Sequence, residues 1–283
     1  MWMYDFHLFY EAGRAVLMGQ SPYAISEFIS PYPLAVLFTP LAALPEMLAY
    51  ALFVALSLFF LWKVMGRRAG WALLSFPVLF TLFVGQIDLL LALVIPLGAP
   101  WTLALGLAKP QVGFVVLPWL LVRLDKKGWI KAIAGGAVLL AICFILRPGW
   151  LFEWLQSQPG LVYYQTHASN LNWLVPNEGS LRATFSLALA LLVLAAGFLL
   201  CQKCDSWTVL QLFQPLSNIY SVSVLAEWFG PLEVVLSWAA VVLVGGNIHG
   251  GMPMFLVALG ILARQHWGYA RQRLPAGLFP PKS

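Results

Sequence analysis

The residues able to do chemistry in this chain are few enough to sort individually. Its 283 residues include eleven carboxylates, sixteen Lys or Arg and four His. Asp125 and Asp205 lie in short polar stretches with Lys or Arg, and Glu46, Glu153, Glu227 and Glu233 fall near the ends of apolar segments. Glu27 and Glu178 sit in loop-like sequence, which leaves Asp5, Glu11 and Asp88. Asp5 heads a run in which Phe6, Phe9, Tyr10, Gly13, Val16 and Leu17 share one helical face. Asp is a preferred helix cap, and a carboxylate bonded to backbone N–H groups is a weakened base. Free of the backbone, the same group is a candidate general base, so pattern alone leaves cap and base both open.

Asp88 follows Gly85-Gln86-Ile87 inside an apolar region. It is either part of a turn at the membrane surface or an intramembrane ionisable group, and the latter are functional candidates by default. Lys109 is embedded among apolar residues and precedes Pro110. An ammonium there requires an anion, either a ligand phosphate or a structural partner such as Asp88. Arg147 is a second candidate cation, with an interfacial anchor as its plainer role. His7, His167, His249 and His266 are too scattered for a metal cluster. Cys201 and Cys204 form one CxxC with no second pair to complete a zinc site, and Cys143 sits in an apolar run. Neither a metal nor a cofactor is expected.

The elements that must position these groups are membrane helices. The chain is 61% hydrophobic and 10% charged, too few charges to cover a water-exposed surface. A polytopic, all-α bundle follows. The net charge of +5 is then no nucleic-acid footprint, because Lys and Arg mark cytoplasmic loops. The first five residues lack the basic and apolar regions of a signal peptide.

Lys63, Arg67 and Arg68 follow an apolar span at 46–62, and Arg123, Lys126, Lys127 and Lys131 form the next cluster. Both are expected on the cytoplasmic side, so an even number of crossings separates them. Three apolar runs lie between, at 71–84, 87–97 and 101–122. The parity is restored if the first two cross fully and the third is re-entrant, turning at Lys109-Pro110, where proline disfavours helix; the alternative fuses the first two into one long, broken span. A second broken pair is expected at 207–229. The expected organisation is one membrane domain, 1–263, and a basic cytoplasmic tail, 264–283. Within the domain, 1–45 is a non-cytoplasmic loop with an amphipathic helix, 46–147 a first helix group, 148–180 a second such loop and 181–263 a second helix group.

Several short blocks carry a resemblance. Asp5 followed by Gly19-Gln20-Ser21-Pro22-Tyr23, Tyr32-Pro33-Leu34, Pro40-Leu41 and Leu44-Pro45 resembles the first non-cytoplasmic loop of glycosyltransferase family 87. Phe83-Val84-Gly85-Gln86 resembles that family's Gly-Gln turn, Leu105 to Pro110 its Gly-Leu-Ala…Lys-Pro turn, and Pro215-Leu216-Ser217 its late Pro-Leu-Ser element. The blocks occur in family order over most of the chain. The places where the family carries Trp and His hold Asn218 and Tyr220, and the family's helix ahead of the first loop has no counterpart before Asp5.

The resemblance implies a GT-C type bundle in the plasma membrane with its active site on the non-cytoplasmic face. It implies transfer of a sugar, mannose first, from a polyprenyl-phosphate donor to a lipid or glycan acceptor with inversion. Asp5 is then the general base, Lys109 and secondarily Arg147 stabilise the leaving phosphate, and Tyr23, Gln86 and Tyr220 contact sugar or phosphate. A transporter or flippase shares the broken helices, and a truncated, non-catalytic family member shares the blocks.

Overall fold

The computed structural model describes residues 2–98, 100–158, 208–212, 219–243 and 256–265. Every regular element among them is helical. The α-helices are α1 (Tyr4–Leu17), α2 (Tyr32–Ala42), α3 (Glu46–Met65), α4 (Ala69–Leu74), α5 (Phe76–Val84), α6 (Asp88–Leu97), α7 (Pro110–Leu121), α8 (Lys126–Leu146) and α9 (Trp150–Ser157). Helices Thr208–Leu212, Pro231–Leu243 and Leu256–Gln265 follow. Tight 3-10 segments occupy Pro22–Ala24, Gly66–Arg68, Pro100–Leu107 and Ile219–Trp228.

Proline sets several starts. Pro33, Pro77 and Pro110 each lie in the first turn of a helix, where the missing N–H has no intrahelical acceptor to lose. Asp125 caps α8 by accepting from the Gly128 N–H at 2.7 Å.

Among the described residues two helical runs are long and apolar enough to cross a membrane, Glu46–Leu74 (29 residues) and Lys126–Leu146 (21 residues). Their outer faces expose Leu52, Leu56, Phe59 and Trp62 on α3 and Ile133, Val138 and Ile145 on α8. Apolar stripes of this kind suit lipid and not water.

The runs at 71–84 and 87–97 do not form two straight helices long enough to cross separately, which fits the alternative of one broken span. They form α5, nine residues, and α6, ten residues, bent by 104° at the intervening turn. Each is about 15 Å long, half a hydrocarbon core, so together they make one broken span or a re-entrant loop. Gly85, at φ +77°, ends α5 in the left-handed region and turns the chain. The third run breaks at the expected place: the 3-10 segment Pro100–Leu107 leads to Lys109, and α7 begins at Pro110.

Residues 1–45 hold more helix than expected, because the apolar stretch from Tyr32 adds α2 to the amphipathic α1. The two pack together, Gly13 letting α1 approach the Phe38 backbone so closely that a Cβ would sit 2.9 Å from its carbonyl carbon. Phe6 anchors the core, its ring centroid 5.8 Å from that of Phe38 and 5.5 Å from that of Phe53. At the other end, Arg264 is the residue at which the basic tail is expected to begin. It lies in helix Leu256–Gln265 and pairs with the buried Glu233 at 3.1 Å. The expected break at 214–218, the 181–200 segment, Cys201, Cys204, His167, His249 and His266 lie outside the described residues.

Gly85 is where this packing is least forgiving. A Cβ there would lie 3.2 Å from Phe6 Cα and nearer still to Phe6 Cβ. Gly85→Ala is therefore expected to lower thermal stability in detergent by about 1–3 kcal/mol, from left-handed strain and overpacking. Gly70→Ala, where a Cβ meets nothing within 4 Å, is the control and should be neutral or slightly stabilising.

Candidate functional site

The Gly85 turn brings three helix starts to one place. Asp5 is in the first turn of α1, Asp88 is the first residue of α6, and Lys109 immediately precedes α7. The Met3 N–H donates to Phe83 O at 3.0 Å, tying the start of α1 to the end of α5. As the residue before a proline, Lys109 is kept extended, at φ −138° and ψ 88°.

The side chains form a connected group. Lys109 Nζ donates to Gln86 Oε1 at 3.1 Å, lies 3.8 Å from Asp88 Oδ1, and sits 5.2 Å from the centre of the Phe9 ring. The Gln86 side chain, whose carbonyl accepts from Lys109, also lies beside Asp5 and favours its ionised form. Lys109, Gln86 and Asp88 are 6%, 3% and 1% exposed, whereas Asp5 is only half-buried and stands at the edge of the group. Neither Asp88 oxygen meets a donor at hydrogen-bonding geometry, so its attraction to Lys109 is coulombic. Three helix N-termini add partial positive charge, which helps two carboxylates share a single lysine.

Asp5 is not a cap. Met3 holds that position, and the start of α1 has no side-chain cap bond. Burial pushes the Asp5 carboxyl up to about 6; Lys109 opposes the rise, Asp88 adds to it, and the Gln86 hydrogen bond opposes it. Lys109 does pair with Asp88, the structural partnership that the sequence left open.

Tyr220 lies next to this group. Its carbonyl accepts from Thr81 Oγ1 at 3.3 Å and its ring stacks on Phe80 at 6.5 Å, while the following residue, Ser221, faces Asp88. Arg147 and Tyr23 belong to a second cluster, built by α9 and the loop ahead of α2. Arg147 Nε donates to Glu153 at 2.8 and 2.9 Å, and the Ser21 hydroxyl donates to the same carboxylate. These bonds from Arg147 hold the Glu153 carboxyl below its usual range, and burial with the nearby Glu153 charge pushes the Tyr23 phenol up. Tyr32 stacks on Trp150 at 6.1 Å in the same cluster, and Trp154 Nε1 donates to Ile29 O at 2.9 Å.

Of the residues around Lys109, the sequence singles out Asp88, as an intramembrane ionisable group or a structural partner, but not Phe9 or Ser221. Asp88 carried a signal in its burial-prone context; Phe9 and Ser221 carried none, because only tertiary contact brings them to Lys109 and Asp88.

Two cavities lie beside these clusters and not at Asp5. One, about 440 Å³, is almost wholly apolar and lined by Pro31, Pro33, Pro110, Phe114, Trp150 and Trp154 among others. The other, about 600 Å³, runs between α8 and the Pro100–Leu107 segment. No group of three or more His, Cys, Asp or Glu among the described residues is arranged to hold a metal ion. No family model, curated protein or solved structure matches the chain.

Two outcomes follow. Removing Lys109 leaves Asp88 buried and uncompensated, so Lys109→Met should cost about 3–5 kcal/mol. Adding Asp88→Leu to it should recover most of that loss, measured by denaturation in detergent. The second concerns pH. Folded Asp5 titrates near 6 and unfolded Asp near 3.8, so the folded state binds more protons between those values. Its contribution is therefore full at low pH and falls as pH rises through that window. Asp5→Asn, uncharged throughout, should gain stability relative to the unaltered protein from pH 4 to pH 7, read as the difference in Tm.

Proposed function

We propose that this chain is an integral-membrane glycosyltransferase of the family 87 kind, using a polyprenyl-phosphate sugar, mannose first among hexoses and pentoses. The observation that supports this best is the meeting of Asp5, Gln86 and Lys109. They come from three separate sequence blocks and form one connected group. In this reading an acceptor hydroxyl of a lipid or glycan attacks the anomeric carbon with inversion. The bond from that carbon to the phosphate oxygen breaks, the hydroxyl proton passes to Asp5, and the lipid phosphate leaves as an anion beside Lys109. A carboxyl titrating near 6 is ionised at neutral pH yet retains proton affinity. Asp88 is a positioning residue that holds the Lys109 ammonium in place.

The apolar 440 Å³ cavity supplies room for part of the lipid chain, with Pro110 of its wall adjacent to Lys109. Arg147 and Tyr23 border the same cavity's Trp150 wall and, in this reading, contact acceptor or lipid in place of the leaving phosphate. Gln86 and Tyr220 are left to meet sugar. The site faces the non-cytoplasmic side of the plasma membrane.

A second reading, a transporter or flippase, is favoured by the 104° break at Gly85-Gln86, since broken helices with polar turns also line substrate paths. The two are separated by incubating purified protein with a polyprenyl-phosphate mannose and an acceptor. A transferase should release polyprenyl phosphate, Asp5→Ala should slow release by at least about 100-fold, and the rate should rise with pH through about 6. Equal rates for Asp5→Ala and the unaltered protein would remove Asp5 from the mechanism. Uptake into proteoliposomes with no covalent product would establish transport instead.

A further inference from the structure

The 600 Å³ groove between α8 and the Pro100–Leu107 segment plays no part in the transferase reading. Its lining includes Trp101, Leu105, Val138, Leu139 and Ile142, and Lys131 is the one charged residue in it. The groove has firm walls. Gly135 of α8 lies so close to Trp101 that a Cβ would fall 2.9 Å from Trp101 Cα. From Lys131 to Ile142 the helix rises about 16 Å, so the apolar floor extends a long way from the charge.

Charge is strongly biased along this face. Lys127 is one turn before Lys131, on the same side of α8, and both are exposed. Among the described residues no carboxylate pairs with either. Trp101 is 58% exposed at the rim, a residue type suited to the headgroup level of a bilayer. The groove thus joins an apolar floor to two ammonium groups that have no carboxylate partner among the described residues, which is the complement of a lipid with a negative headgroup. A zwitterionic lipid satisfies the floor but brings its own positive charge to the lysines.

We propose that this groove seats one acyl chain of an anionic phospholipid, its headgroup phosphate resting at Lys131 and Lys127. Two independent contributions hold it: apolar contact along α8 and attraction at the basic end. Each has a separate substitution.

The test uses the purified full-length protein, delipidated in detergent and titrated with phosphatidylglycerol or phosphatidylcholine, with retained lipid counted by native mass spectrometry. The unaltered protein should retain phosphatidylglycerol in clear preference. Lys131→Ala and Lys127→Ala should each weaken phosphatidylglycerol about fivefold and leave phosphatidylcholine unchanged. Leu139→Trp, which fills the floor, should weaken both lipids. Lys63→Ala, in the other basic cluster, should change neither. Equal retention of the two lipids, or a preference untouched by both lysine substitutions, would overturn the proposal. So would a preference lost with Lys63→Ala and kept with Lys131→Ala, which assigns it to the other cluster. A Leu139→Trp protein that keeps full phosphatidylglycerol binding would show that the headgroup binds without the groove. None of these readouts depends on transferase activity.

Discussion

A lysine buried beside apolar helices has to be neutralised where it stands, and much of this structure follows from that requirement. Lys109 is 6% exposed, and its nearest anion, Asp88, is 1% exposed. Both sit at helix starts, where backbone N–H groups favour the carboxylate and proline fixes the lysine's backbone. The ion pair is long, 3.8 Å, while the bond from Lys109 to Gln86 is 3.1 Å. Charge is thus balanced by Asp88 and direction is set by Gln86. A pair of this kind adds little net stability when intact and costs much when half of it is removed. That asymmetry suits an element retained for what it positions.

The position of Asp5 depends on the same turn by a steric route. Phe6 lies against the face of Gly85 that any other residue would fill. This contact lets the first turn of α1 reach Gln86, so the polar group and the aromatic core of Phe6, Phe38 and Phe53 form as one unit. Displacing the aromatic anchor displaces the carboxylate with it. A side chain held this way is fixed by packing on one side and lies beside Gln86 on the other, and its remaining freedom is toward solvent.

The sequence shows these groups with uneven clarity. Lys109 was legible because a charge amid apolar residues demands a partner, and the Lys-Pro step shows that a helix begins just after it. The helical face of α1 was legible from the spacing of Phe6, Phe9, Tyr10 and Gly13. The cap reading of Asp5 was not settled, because spacing cannot show whether Met3 or Asp5 makes the turn into the helix. The choice between two crossings at 71–84 and 87–97 and one broken span was open for a related reason. Hydropathy measures whether a segment tolerates lipid, not whether its backbone stays straight, and Gly85 bends the chain by 104° within one apolar region. Arg147 was legible as a cation, but its engagement by Glu153 depends on α9 folding back over six residues.

The two polar clusters are linked by the apolar cavity between them. Pro110 belongs to the turn that holds Lys109, and Trp150 belongs to the helix that carries Glu153; both line the same 440 Å³ space. An apolar ligand lodged there touches the supports of both clusters without contacting either charge directly. The first cluster has a half-buried carboxylate at its edge and a buried cation behind it, an arrangement suited to moving a proton. The second has its guanidinium and carboxylate closed on one another, tying the loop ahead of α2 to α9 through Ser21, an arrangement suited to holding. The difference lies in which charges are already neutralised: Glu153 is engaged by Arg147 and Ser21, whereas Asp5 stands half-buried at the edge of its group, beside Gln86.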